Sequence, residues 1–211
     1  MNKVIGIISY LPDDSQIRTN RIDSLRRLIS RINYLFNLPI IIVAQNWKDF
    51  KLNNHDTTIY YFDKLGIVGA RNKLREIFLQ QDKYDCLIML DDDSVIWGDK
   101  SDADNYLKQL DNNPGMFYEF TGTLLKLFAI SKDLFEKIDF NGVNPELGEG
   151  FEDRLFVGKL RKLYPEKRYI INKGKLYEGS ISTHDPNSTW YKQQSIEEML
   201  ENTNKYLETK I

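Results

Sequence analysis

Short apolar runs alternate along this chain with turn-forming stretches and with segments of helical periodicity. Val4-Ile5-Gly6-Ile7-Ile8 is rich in β-branched residues, the composition of a strand buried on both faces. It gives way to the turn-prone Ser9-Tyr10-Leu11-Pro12-Asp13-Asp14. Ile22, Leu25, Ile29, Ile32 and Phe36 then recur every three or four residues, which predicts an amphipathic helix, with Thr19 or Asn20 as its N-cap. Two further strands are predicted at Pro39 to Ala44 and Thr57 to Phe62. A second helix follows Gly66, with Ile67, Ala70, Leu74, Ile77 and Phe78 on one face. It leads into Cys86-Leu87-Ile88-Met89-Leu90, a buried strand that stops at three aspartates.

Strands and helices in this alternation make an α/β domain with a mixed, mostly parallel sheet flanked by helices. Ligands of such sheets bind beyond the carboxyl ends of the strands, where Asp91, Asp92 and Asp93 emerge. The second half is less regular. A strand is predicted over Thr121 to Ile130, then a short helix capped by Ser131. A Gly- and Asn-rich loop (141–150), a helix from Glu152 to Leu163 and a strand at Tyr169 to Ile171 follow. Ser195-x-x-Glu198 is a capping box for a terminal helix. With no repeat or linker in evidence, the 211 residues read as one domain, with a nucleotide-binding half (1–96), an acceptor or catalytic half (97–190) and a C-terminal helix (191–211).

Composition narrows the function classes. Hydrophobic residues at 41% and charged residues at 28% describe a globular chain rather than a disordered one. A net charge of -2 gives no long-range pull toward phosphate backbones, which argues against nucleic acid as a partner. Cys86 is the only cysteine, so intramolecular disulfides and cysteine-based metal sites are excluded, and its apolar neighbours predict an inert core thiol. No segment approaches the roughly twenty apolar residues that span a bilayer, and no apolar leader opens the chain. The expectation is a cytoplasmic protein, with peripheral contact to a membrane face left open.

Four features carry candidate chemistry. Adjacent carboxylates at a strand end gather negative charge that a hard cation such as Mg²⁺ or Mn²⁺ relieves. Along an extended chain Asp91 and Asp93 share a side and Asp92 points away. Glu152 and Asp153 form a second acidic pair, at a helix start where the dipole alone favours acid, and one of them is suited to act as general base toward a hydroxyl. His184 is of interest only beside the aspartates, as a nitrogen ligand in a mixed shell; His55 lies in a polar loop. Arg71 is suited to neutralise the cluster or contact a phosphate.

In order, these pieces resemble the GT-A fold glycosyltransferases, especially the inverting family 2 enzymes. Gly69-Ala70-Arg71-Asn72, followed by Tyr84 to Asp93, is similar to the family's Ala-Arg-Asn helix and Asp-x-Asp strand. Phe128 to Phe135 is similar to the segment lining donor sugar and acceptor, and Gly148 to Leu155 to the acidic Glu-Asp motif. The resemblance runs from Val4 to about His184. It implies a Rossmann-like nucleotide-sugar-binding fold and a nucleotide-sugar donor, most often a UDP-sugar. It further implies that Ser9, Tyr10 and Leu11 border the base and Asp91 approaches the ribose or donor sugar, with Asp92 and Arg71 also on the donor side. Asp93, with Asp91 and His184, would hold Mn²⁺ or Mg²⁺; Asp153 would be the base, with Glu152 beside it. The acceptor, a hydroxyl on a glycan, lipid-linked sugar, protein or modified base, is left open. Two other readings fit parts of the pattern. Asp91 to Val95 also satisfies the Asp-x-Asp-x-Val nucleophile motif of haloacid-dehalogenase-like phosphatases, although an entire α/β unit precedes it here. A non-catalytic module that binds a nucleotide sugar is the other.

Overall fold

The computed structural model describes residues 1–48, 50–52, 56–96, 98–120, 127–141, 152–171 and 177–180. Strand β1 (Lys3–Tyr10) leads into α1 (Ser15–Phe36), β2 (Ile40–Gln45), β3 (Thr57–Phe62), α2 (Gly66–Leu79) and β4 (Cys86–Asp91). After a tight turn come β5 (Ser94–Ile96), α3 (Lys100–Asn112), β6 (Phe117–Phe120), β7 (Leu127–Ser131) and the short α4 (Lys132–Phe135). Helix α5 (Glu152–Leu163), a 3-10 turn (Pro165–Lys167), β8 (Arg168–Ile171) and β9 (Tyr177–Ser180) complete the described chain.

Seven strands form one sheet in the order β3-β2-β1-β4-β7-β6-β8. β1, β2, β3 and β4 are mutually parallel; β7 runs antiparallel to β4 and β6, and β8 is parallel to β6. The mixed, mostly parallel sheet expected from the pattern is therefore present. Alternation along the strands sends side chains to two separate cores. Ile5, Ile7, Ile40, Ile42, Ile88 and Leu90 pack under α1 and α3, against Leu25, Leu28, Ile32, Tyr106 and Leu110. Val4, Ile8, Ile41, Val43, Leu87 and Met89 face α2, α4 and α5, against Leu74, Phe78, Phe135 and Phe156.

The register leaves no room at Gly6. A Cβ there would lie 2.8 Å from a methyl of Leu74 and 2.8 Å from one of Leu87, so α2 seats directly on β1.

Several elements differ from expectation. The N-cap of α1 is Asp14, whose carboxylate accepts from the backbone N–H groups of Gln16 and Ile17. Thr19 instead donates its hydroxyl to the Ser15 carbonyl inside the helix. The first helical turn, Ser15-Gln16-Ile17-Arg18, holds a single apolar residue, out of step with the stripe that begins at Ile22, so apolar spacing could not locate its start. The strand expected over 121–130 is two strands, β6 ending at Phe120 and β7 starting at Leu127, with 121–126 outside the described residues. Ser131 does precede α4, but makes no side-chain cap. Helix α3, not anticipated, is fixed by a reciprocal capping box between Asp99 and Asp102. Of the expected loop 141–150 all but Asn141 lies outside the described residues, as does the terminal helix. Among the described residues no helix is long and apolar enough to cross a membrane.

Candidate active site

The three strands after β1 divide around it: β2 and β3 lie on one side, β4 on the other. In a parallel α/β sheet this reversal opens a crevice between the carboxyl ends of the two strands at the switch, here β1 and β4. Their register pairs Ile8 with Asp91, so Ser9 and Tyr10 stand beside the acidic run.

Only Asp91 belongs to the strand; the chain turns at Asp92 and Asp93. The alternation expected for an extended run therefore does not govern these residues. Asp91 keeps about a fifth of its side chain exposed and lies 3.4 Å from Nη2 of Arg71. Arg71 is buried on α2, its guanidinium 5.6 Å from the Phe140 ring centroid. The helix and strand of the Ala-Arg-Asn and acidic motifs thus meet through this ion pair. The neighbouring Asn72 accepts from the Phe140 backbone N–H at 3.0 Å and donates to the Asn141 side chain at 2.7 Å, fixing the segment that enters the 142–151 stretch.

Asp92 turns inward. Its Oδ2 accepts from the Ser9 hydroxyl at 2.7 Å and from the Tyr10 backbone N–H at 3.3 Å, and its Oδ1 accepts from Arg21 of α1 at 3.0 Å. Ser9 Oγ in turn accepts from Trp47 Nε1 at 3.3 Å. Burial pushes the Asp92 carboxyl above the ordinary carboxylate range, against the opposing pull of the Arg21 charge and the Ser9 hydrogen bond. Asp93 is buried too, at 6% exposure. Of the residues expected to border a base, Ser9 and Leu11 are buried and Tyr10 is half-buried, with Lys64 Nζ 5.9 Å from its ring centroid.

Arginines on α1 hold the rim. Arg18 donates to the carbonyls of Leu11, Pro12, Asn46 and Lys48, tying the loops after β1 and β2 together. Arg31 donates to the carbonyls of Ile96 and Gly98 beyond the acidic turn. Sequence reasoning missed Arg21, although a signal exists. It precedes Leu25 by four residues and Leu28 by seven, which places a charge on the buried stripe and calls for a buried partner.

Glu152 and Asp153 open α5, where the backbone is described and these two side chains are not. His184 and His55 lie outside the described residues. β9 pairs Ser180 with Ser94, the residue after Asp93. Among the described residues no three His, Cys, Asp or Glu side chains form a cation-holding group. Two carboxylates at a strand end are nonetheless a donor set that Mg²⁺ accepts, because it commonly takes one or two protein carboxylates and completes its shell with water and substrate phosphates.

No protein-family model matches the chain, and no curated protein matches it. Solved structures do. S. aureus TarS (1-349) in complex with UDP-GlcNAc aligns with a TM-score of 0.65 at 14% identity, covering 98% of this chain and 66% of that one. The chain thus spans slightly less than two thirds of that solved TarS chain. CMP:2-keto-3-deoxy-manno-octonic acid synthetase complexed with CTP aligns at 0.54 and 10% identity over the whole of both chains. A cytidylyltransferase from Leptospira borgpetersenii serovar Hardjo-bovis aligns at 0.55 and 12% identity, over 100% of this chain and 98% of that one. At such identities the likeness is one of fold, and the fold is the GT-A-like fold of nucleotide-sugar transferases.

Proposed function

We propose that the protein is a metal-dependent inverting glycosyltransferase, moving a sugar from a UDP-hexose or UDP-N-acetylhexosamine to a hydroxyl acceptor. The observation that carries this reading is the coincidence of the acidic turn with the switch between β1 and β4, the crevice where such a sheet takes its ligand. On this reading Tyr10 borders the base and Asp91 approaches the ribose or donor sugar. Arg71, paired with Asp91, would add positive charge on the side of the diphosphate. A divalent cation held by Asp93 and Asp91, with His184 as the candidate third ligand, would supply Lewis-acid stabilisation of the leaving nucleoside diphosphate.

In the transfer, the acceptor oxygen attacks the anomeric carbon from the side opposite the diphosphate. The bond to the diphosphate oxygen breaks, and its electron pair leaves with the nucleotide. The acceptor proton passes to Asp153, with Glu152 adjacent in the same helical turn. Nucleotidyl transfer, the chemistry of two fold neighbours, is less well served. The loop after β1, Leu11-Pro12-Asp13-Asp14, has no glycine and carries two carboxylates, which repel a triphosphate.

Calorimetric titration of UDP with Mn²⁺, then with EDTA, tests the reading. Tight binding that requires metal is the expected result. Binding of CTP in preference to UDP would turn the assignment toward nucleotidyl transfer. Phosphate release from a phosphomonoester, with no nucleotide bound, would turn it toward a phosphatase.

A further inference from the structure

We propose that Asp92 is a positioning carboxylate rather than a ligand of donor or cation, and that Arg21 is its partner in holding Ser9 and Tyr10 for the donor. The inference rests on the donor-site reading above. Asp92 is 5% exposed and both its oxygens are occupied from inside the protein: Oδ2 by Ser9 and the Tyr10 N–H, Oδ1 by Arg21. A guanidinium, a hydroxyl and an amide take most of the roughly four lone-pair sites of a carboxylate, and burial turns the remainder away from the crevice.

The partners come from three separate elements. Ser9 and Tyr10 end β1, Arg21 projects from the second turn of α1, and Asp92 follows β4. Trp47, after β2, adds a fourth by donating to Ser9 Oγ. Asp92 thereby fixes the backbone at Tyr10, the one residue of the expected base-bordering trio whose side chain is not buried. Arg21 also reaches the Tyr10 carbonyl at 3.4 Å, so both polar groups of that residue's backbone meet the same ion pair. The middle residue of the acidic run thus sets the stage for its neighbours without touching substrate.

The chain reports on the network directly, because the Trp47 indole N–H is bonded to Ser9. Its ¹⁵N–¹H resonance, assigned with Trp47→Phe, is recorded in wild type, Asp92→Asn, Arg21→Lys and Ser9→Ala without ligand. UDP affinity is measured in Mn²⁺, and Mn²⁺ affinity at saturating UDP. The expected result is a displaced indole resonance in Asp92→Asn and Ser9→Ala, with Mn²⁺ affinity unchanged. Loss of one charge-assisted hydrogen bond's worth of positioning raises the UDP dissociation constant about tenfold or more in Asp92→Asn. Arg21→Lys, which keeps the charge, loses less than Asp92→Asn does.

Loss of Mn²⁺ affinity in Asp92→Asn, matching that in Asp93→Asn, would make Asp92 a ligand and overturn the inference. UDP affinity equal to wild type, with the indole resonance moved, would reduce the network to scaffolding and also overturn it. If Asp92→Asn does not fold, Arg21→Lys and Ser9→Ala carry the same comparison. A wild-type protein that binds no nucleoside diphosphate strikes the donor reading itself, so the wild-type titration separates that failure from this one.

Discussion

Gly6 shows how closely single positions are specified. Leu74 and Leu87 methyl groups press on it from α2 and β4, so a β-branched side chain has nowhere to go. Gly6→Val is expected to destabilise by about 1–3 kcal/mol, the usual cost of overpacking, and Gly6→Ala by less, because leucine methyls yield; urea melts of both variants check this. Within the crevice, Asp93→Ala is expected to abolish metal-dependent UDP binding, and unchanged calorimetric affinity would remove Asp93 from the cation site. Asp153→Asn is expected to bind donor normally yet lose transfer by a factor of about 10² or more, as for a lost general base. Turnover equal to wild type would move that role to Glu152. The place of the acidic run was legible in the sequence, because the apolar stretch of β4 ends at Asp91. The inward turn of Asp92 was not, since it depends on a bend after Asp91 and on Arg21, seventy-one residues earlier.

At the scale of elements, periodicity found what buried surface wrote into the chain. β1, β2, β3, β4, α2 and α5 were all readable, because their apolar positions recur at strand or helix spacing. Helix α3 was missed: only Ala103, Tyr106 and Leu110 are buried, among charged and amide side chains. The short β5 and β9 define each other only by pairing, which no local pattern records. The start of α1 escaped for a related reason, because its cap lies in a polar turn. Asp14→Ala is expected to cost about 1 kcal/mol, whereas Thr19→Ala should cost less than about 0.5 kcal/mol. Comparison of their denaturation midpoints distinguishes the two candidate caps.

For the molecule as a whole, one ion pair ties α5 to the segment after α4. Lys159 Nζ lies 3.1 Å from Asp139 Oδ1, and Asn141 donates to the same carboxylate through its backbone and side chain. Partial burial works to raise the Asp139 carboxyl, but the Lys159 and Asn141 hydrogen bonds outweigh it and hold it below the ordinary carboxylate range. A carboxyl depressed on folding adds stability in full above its unfolded value and loses it as pH falls through the folded one. The gap in melting temperature between wild type and Asp139→Asn should therefore be constant near neutrality and close in acid, as pH falls through the depressed value. A gap independent of pH would mean that packing, not charge, makes the tie.

Cys86 sits at the start of β4, hydrogen-bonded between β1 and β7, with burial pushing its thiol up to about 12. A thiol reagent at neutral pH meets it only when the central strands part, so the rate of its modification measures how often the whole sheet opens. The same silence makes the natural chain a clean background for labelling. A cysteine introduced on the rim of the crevice would be the sole site to take a dye, and its emission would follow nucleotide arrival in real time.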